Sequence, residues 1–340
     1  MNLAIVALGA ALLSSASIAL PSRAAADGRV WRIAFEIDND VVFAGEDRHY
    51  SNGLVLDVLA PQGNVPGWMA KLAYALPPWN DDPGDVRFGF GLRHEMYTPE
   101  DSSARAVVPD DRPYAGYLYT RLSLHRDRNR SEARADPRTI PFLDTLELDI
   151  GVVGPAAAAE QGQDLLHVAT DSPTFRGWDN QLDNEFALVL RRARTWRVPG
   201  RPLVLAPGIE ADVLANLTGE LGNVKTAGTA GMMFRLGRAL PADFGRGRFS
   251  PPDDGDSPTR VYLFVGVNVS AVARDIFLDG NTFEDSHEVT KRTIVVHAPM
   301  GLGFERGRFK SQFMAFFNSK EFDGQDGVDW YARWSIIVDY

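Results

Sequence analysis

Beyond residue 27 the chain alternates. Trp31, Ile33, Phe35 and Ile37 fall on one side of an extended segment, while Arg32, Glu36 and Asp38 fall on the other. Leu146, Leu148, Ile150 and Val152 repeat the pattern against Glu147, Asp149 and Gly151. Successive side chains of a β-strand point to opposite faces, so each segment has one apolar and one charged face. The last segment shows it most fully: Trp330, Ala332, Trp334, Ile336, Val338 and Tyr340 alternate with Tyr331, Arg333, Ser335, Ile337 and Asp339. The chain ends on an aromatic.

Clusters of Gly, Pro, Asn and Asp mark off about twelve such segments. They lie near 30–38, 53–60, 86–97, 115–125, 143–153, 185–196, 202–214, 228–237, 261–272, 291–304, 308–319 and 328–340. The count is even, and most have about ten residues, the length a tilted strand needs to cross a bilayer. The fold class read here is all-β, a closed transmembrane antiparallel β-barrel of the outer-membrane type. A soluble β-sandwich alternates too. Export, strand length and Trp and Tyr at strand ends favour the barrel, whose closure satisfies every edge hydrogen bond in lipid.

Export is read from the first residues. Met1 to Leu20 is apolar or small, and Ala24 and Ala26 fit an A-x-A cleavage site, although the usual positive n-region is missing. The expected division is a signal peptide over 1–26 and one barrel domain over 27–340, in the bacterial outer membrane; an uncleaved helical anchor is the alternative. A mean hydropathy of -0.18 excludes a bundle of membrane helices.

Composition narrows the chemistry. With 35 Lys+Arg against 45 Asp+Glu the net charge is -10, so nucleic acid is not an expected partner. Zero cysteines exclude disulfides, thiolate metal sites and Cys nucleophiles. The histidines are His49, His94, His125, His167, His287 and His297, with no i,i+4 pair to hold zinc. Oxygen donors remain: Asp38-Asn39-Asp40 and the loop after it suit calcium, though such clusters are also ordinary solvated turns.

If both termini are periplasmic, the unusual polar clusters gather on one outward rim. They are Asp38 to Gly53, Asp110-Asp111-Arg112-Pro113-Tyr114-Ala115-Gly116, Gly154 to Asn184, and Asp275 to Phe283. With Tyr97-Thr98-Pro99, Gly151-Val152-Val153-Gly154-Pro155 and Gly177-Trp178-Asp179-Asn180-Gln181, in this order over nearly the whole mature chain, the set resembles the outer-membrane lipid A 3'-O-deacylase family. That resemblance implies a twelve-stranded barrel with a calcium-dependent site near the outer rim. It implies hydrolysis of the 3'-linked acyloxyacyl ester of lipid A, with lipopolysaccharide and outer-membrane lipids as partners.

Carried over position by position, the family's Asn-Asp pair falls on Asn39 and Asp40, its hydroxyl residue on Ser51, its histidine on His167, and a glutamine on Gln163. The family glutamate between the histidine and the tryptophan is not matched. The position falls on Pro173 or Thr174, and Asp171 is the carboxylate nearby. The expected roles are His167 as general base on water, Asn39 as oxyanion donor, Ser51 as positioning group, and Asp40 and Asp171 as calcium ligands. Arg48, Arg112 and Gln163 are expected at the substrate, the arginines holding its phosphates.

Each residue has a plainer reading. His167 can be a hydrogen-bonded group on a short helical turn. Ser51 is alternatively a covalent nucleophile activated by His167, or with Asn52 an ordinary turn at strand entry. Asn39 and Asp40 can end a strand by Asx bonding. Arg48 and Arg112 can be internal salt-bridge partners, with Asp110-Asp111-Arg112 an ion-paired loop anchor. The 275–283 loop reads as structural, wedging Ile276, Leu278 and Phe283 against the rim. Two other functions stand beside the deacylase: an outer-membrane phospholipase, and an inactive structural or pore barrel.

Overall fold

The structure, a computed structural model, describes residues 31–40, 49–75, 86–101, 103–128, 136, 138–170, 175–241, 243–245 and 259–340, without the side chains of 51, 72–75 and 165–170. The leader assigned to 1–26 lies outside the described residues.

Twelve antiparallel strands close into one barrel, each bonded to its sequence neighbours and the first to the last. They are β1 (Arg32–Asn39), β2 (His49–Leu59), β3 (Val86–Thr98), β4 (Ala115–Arg128), β5 (Phe142–Val153) and β6 (Glu185–Ala206), followed by β7 (Ile209–Gly222), β8 (Lys225–Arg238), β9 (Arg260–Asp275), β10 (Ile294–Arg306), β11 (Phe309–Asn318) and β12 (Asp329–Asp339). Helices α1 (Gly67–Ala75), α2 (Ala159–Thr170) and α3 (Ile276–Asp279) lie in connections. Arg32 at the start of β1 pairs with Asp339 at the end of β12, so these two strand ends share one end of the barrel. The opposite end is called the distal rim below.

The alternation sets the two faces. Val261, Leu263, Val265, Val267 and Val269 of β9 are all exposed, as are Leu56, Phe90 and Leu92 on β2 and β3. A contiguous apolar surface of this kind belongs against lipid. The inner face carries charges, and these are matched across neighbouring strands. Arg32 opposes Asp339 at 2.5 Å, Arg93 lies 2.8 Å from Asp57, and Arg121 reaches Asp149 at 2.5 Å and Glu147 at 3.0 Å. Arg191 continues the chain to Glu147 at 2.9 Å and Glu220 at 2.7 Å. A slip of one residue would turn these ions toward lipid, so the pairs hold the register as firmly as the apolar face does.

The lumen is also filled at the end near the termini. The connection after β8 folds back inside, where Phe244 packs on Leu59 and Leu143, and Leu240 packs on Tyr262 and Phe264. Asp243, fully buried, pairs with Arg235, which is held by Asp212 at 2.7 Å.

One strand boundary differs from expectation. Pro199-Gly200 reads as a turn in the sequence, with a strand starting near 202. Instead β6 runs on to Ala206, its register with β7 shifting between Val198 and Leu203, and the reversal comes at Pro207-Gly208, with Gly208 at φ 76°. A Pro-Gly pair interrupts a ladder without ending it where the strand is irregular.

Candidate active site on the outer wall

The strand ends that flank the polar clusters meet at the distal rim: β1, β3, β5, β7, β9 and β11 all finish there. Within it, the β1–β2 pair brings Asn39 directly opposite Asn52. By register Asn39 shares a face with Phe35 and Ile37, and Asn52 with Leu54 and Leu56, so both stand on the outer, lipid-facing wall. The ladder from β2 to β3 shifts between Tyr50 and Asn52, making Ser51 the extra residue of a bulge. Bulges re-aim side chains and recur beside active sites.

Asn52 is 6% exposed, and the Oδ1 atoms of both Asn39 and Asn52 are buried with no hydrogen bond among the described residues. A buried acceptor left unmade costs about 1–3 kcal/mol, so a pair of them marks a place built for something else. Asp40, 2% exposed, follows Asn39 but lines a cavity of about 210 Å³ inside the barrel mouth, with Tyr50, Glu95, Tyr97 and Asp329.

Helix α2 lies over the same outer wall. Gly116 of β4 permits the approach: a Cβ there would stand 2.5 Å from that of Ala159. A Cβ on Gly162 would meet Met96 at 2.8 Å and the His94 ring at 3.0 Å. Met96 is the register partner of Asn52 on β3, which puts the helix beside the two asparagines. Met96, Tyr114, Ala159, Phe175 and Trp178 form one apolar cluster beneath it. His94 hydrogen-bonds the backbone at Ala157, and its Nε2 is buried with no hydrogen bond.

Gln163 points into that cluster, 1% exposed, and its Oε1 accepts from the indole Nε1 of Trp178 at 2.9 Å. Position 167 follows one helical turn later, on the same face. The side chains of His167 and Ser51 lie outside the described residues, as do Arg48 and Asp171. The structure thus brings positions 39, 40, 51 and 52 together on one hairpin, with the helix carrying position 167 over the neighbouring strands.

Arg112 is 2% exposed and pairs with Glu321 at 2.5 Å, its guanidinium over the rings of Tyr97 and Phe322. The loop around it is ion-paired to the rim, because Asp111 also lies 3.5 Å from His49. His49, at φ 62°, holds Asp329 at 2.8 Å and meets Phe322 edge-on. Burial pushes the carboxyls of Asp111 and Glu321 up. Hydrogen bonds from His49 and two backbone N–H groups more than offset this for Asp111, and the charges of Arg112 and Lys225 do so for Glu321, so both end below the ordinary range. Burial lowers the Arg112 pKa and the surrounding carboxylates raise it further, leaving it above its usual value.

The 275–283 loop is structural in part as expected. Ile276 and Leu278 are buried, but Phe283 is 79% exposed, and Phe277 takes the packing position, stacked on Tyr97 at 3.9 Å. Phe277 falls inside α3, whose turn is capped by Asp275, so the helical period and not the extended one sets which residues face inward. Sequence reasoning missed Asn52 and His94 as members of the site. Asn52 had a readable signal, its place opposite Asn39 once the hairpin register is laid out; His94 had none before α2 was docked.

No curated protein matches this chain. Among solved structures, LpxR from Salmonella typhimurium is similar with a TM-score of 0.69 at 17% identity, covering 90% of this chain and 99% of that one. The β domain of the Bordetella autotransporter BrkA gives a TM-score of 0.44 at 9% identity, over 92% of this chain and 99% of that one. The family model described as outer membrane protein LpxR matches residues 7–340. With the closed barrel and its apolar outer face, this match means that the chain belongs to the LpxR family and is an outer-membrane protein.

Proposed function

We propose that the protein is a calcium-dependent lipid A deacylase, hydrolysing the 3'-linked acyloxyacyl ester in the outer leaflet with His167 as general base. Family membership supports the coarser part, modification of lipid A in the outer membrane. The observation that carries the finer part is the pair of buried, unbonded amide oxygens on the lipid-facing wall beside α2. A lipid ester in the outer leaflet reaches that wall sideways, with its chains along the apolar face below.

The resemblance implies Asp40 and Asp171 as the charged calcium ligands, with Asn39 beside them; Asp40 lines the inner cavity and Asp171 lies outside the described residues, so the described outer wall does not by itself fit a calcium shell. When bound, calcium polarises an ester carbonyl as a Lewis acid. The chain's own residues do the rest. A neutral imidazole at His167 takes the proton of the attacking water, the role imidazole is suited to near neutrality. The Asn39 Nδ2–H donates to the oxygen that gains charge. The Ser51 hydroxyl orients the water, and the protonated His167 then returns its proton to the leaving alkoxide. Gln163, held by Trp178, fixes the helix that carries the base. Arg48 supplies a guanidinium for the substrate phosphates.

The pore alternative is disfavoured by the folded-back segment around Asp243 and Phe244 and by the paired ions lining the lumen. The test is deacylation of lipid A by the purified barrel, with and without calcium. We expect His167→Ala to abolish product and Ser51→Ala to keep a measurable fraction; an active His167→Ala variant overturns the assignment, and complete loss in Ser51→Ala favours the covalent route.

A further inference from the structure

We propose that the outer wall carries a second lipid site, toward the end of the barrel away from the distal rim, where Arg192 and Arg194 hold the phosphate of an anionic glycerophospholipid. The outward residues of β6 run from the distal rim as Phe186, Leu188, Leu190, Arg192, Arg194 and Trp196. The first three are apolar and exposed, and then the wall turns basic. The neighbouring strands change with it, since Arg194 lies opposite Asp144 of β5, which lies opposite Arg126 of β4. Asp144 follows closely on the start of β5 and Arg126 closely precedes the end of β4, so the cluster belongs to the barrel end shared by Arg32 and Asp339. At these positions three arginines accompany one carboxylate.

The arrangement suits a phosphate. Arg194 donates twice to Asp144, at 2.6 and 2.7 Å, with its guanidinium 4.2 Å from the ring centre of Phe142 and 5.9 Å from that of Trp196. A guanidinium fixed in this way loses little freedom when it takes a phosphate oxygen. Arg192 is exposed and lies opposite Gly219, which lies opposite Gly228, and a Cβ at either glycine would meet nothing within 4 Å. Beside the arginine the wall is therefore a bare trench, with Leu190, Leu217 and Leu221 exposed alongside for acyl chains. Just beyond the arginines Trp196 and Phe142 oppose each other, as aromatic rings do at a membrane interface. Helix α1 lies on the same wall, Met69 packing on Val86 and Leu124 while Trp68 is exposed.

An arginine turned toward hydrocarbon is costly, less so near the interface, and a phosphate partner offsets the cost. The excess of arginine over carboxylate favours an anionic headgroup over one that carries its own ammonium. With lipid A met at the distal rim, as proposed above, the opposite end stands in the glycerophospholipid leaflet.

The experiment is native mass spectrometry of the full barrel refolded in detergent, titrated in turn with phosphatidylglycerol, phosphatidylethanolamine and inorganic phosphate, with the heat-dependent gel shift as the check on folding. We expect wild type to retain phosphatidylglycerol about fivefold more tightly than phosphatidylethanolamine, and Arg192→Gln to lose about that factor, the effect of one basic residue near an anionic lipid surface. Equal retention of the two lipids by wild type, or a folded Arg192→Gln barrel that keeps wild-type retention of phosphatidylglycerol, overturns the proposal. If Arg192→Gln fails to fold, Gly219→Leu decides, because it keeps both arginines and fills the trench: weaker retention supports the site, and unchanged retention overturns it. Inorganic phosphate that displaces the lipid at equal concentration overturns the lipid as occupant. Deacylation of lipid A at the opposite rim is measured separately on the same variants, so failure of one reading is distinguishable from failure of the other.

Discussion

The indole of Trp178 donates to the side-chain oxygen of Gln163 at 2.9 Å, and both are almost wholly buried. The bond ties the short turn Trp178–Asn180 to the helix that carries position 167. Replacing Trp178 with Phe keeps the packing and orphans a buried amide oxygen, at a cost of about 1–3 kcal/mol. That cost falls on the docking of α2 and not on the sheet. Lipid A deacylation by Trp178→Phe is expected to drop several-fold while the heat-dependent gel shift of the barrel stays as in wild type.

The seating of α2 depends equally on what is missing. A methyl on Gly116 stands 2.5 Å from the Cβ of Ala159 and 3.1 Å from that of Ala157, neither of which can swing aside, whereas one on Gly219 meets nothing within 4 Å. Gly116→Ala is therefore expected to lift the helix and expose 159–170 to limited proteolysis. Gly219→Ala, on the same barrel, leaves the cleavage pattern unchanged.

At the rim, Glu321 pairs with buried Arg112, and Asp111 approaches His49. Both carboxyls have folded-state pKa values below their unfolded ones. Their contribution to stability is then complete above the unfolded values, near ~4, and is lost as pH falls through the depressed folded values. Fluorescence of Trp330 beside Glu321 in the rim cavity is expected to report loosening in that acid range. Glu321→Gln, which leaves Arg112 buried without its acid, should loosen the rim already at neutral pH and flatten the acid transition.

The folded-back segment gives a separate prediction. Arg235 is fully buried between Asp212 and Asp243, so Asp243→Ala strips half of its compensation at a cost on the order of 3 kcal/mol. The wild-type barrel is expected to show no stepwise conductance in planar bilayers, and Asp243→Ala to show brief openings as the segment around Phe244 leaves the lumen.

Much of the fold was legible because a barrel wall has one repeating rule. Polar and apolar residues alternate from Trp31 to Tyr340, and strands β3, β5 and β12 lie within a few residues of where alternation puts them. The rule failed where punctuation was ambiguous: Pro199-Gly200 interrupts β6 without reversing it. The site was legible in a different way. Asn39, Asp40 and Ser51 sit on one hairpin as their nearness in sequence suggests, but only the register shows that Asn52 faces Asn39. Asn39 and Asp40, adjacent in sequence, serve different sides of the wall, one at the lipid face and one at the inner cavity. His94 joins them only through α2, a contact between elements that no local pattern encodes.

The most direct measurement is the mass spectrum of lipid A from cells making the wild-type protein or His167→Ala. The account predicts that wild type removes the 3' acyloxyacyl group and that His167→Ala leaves lipid A intact. Unaltered lipid A in wild-type cells, or lysophospholipid in its place, would contradict it.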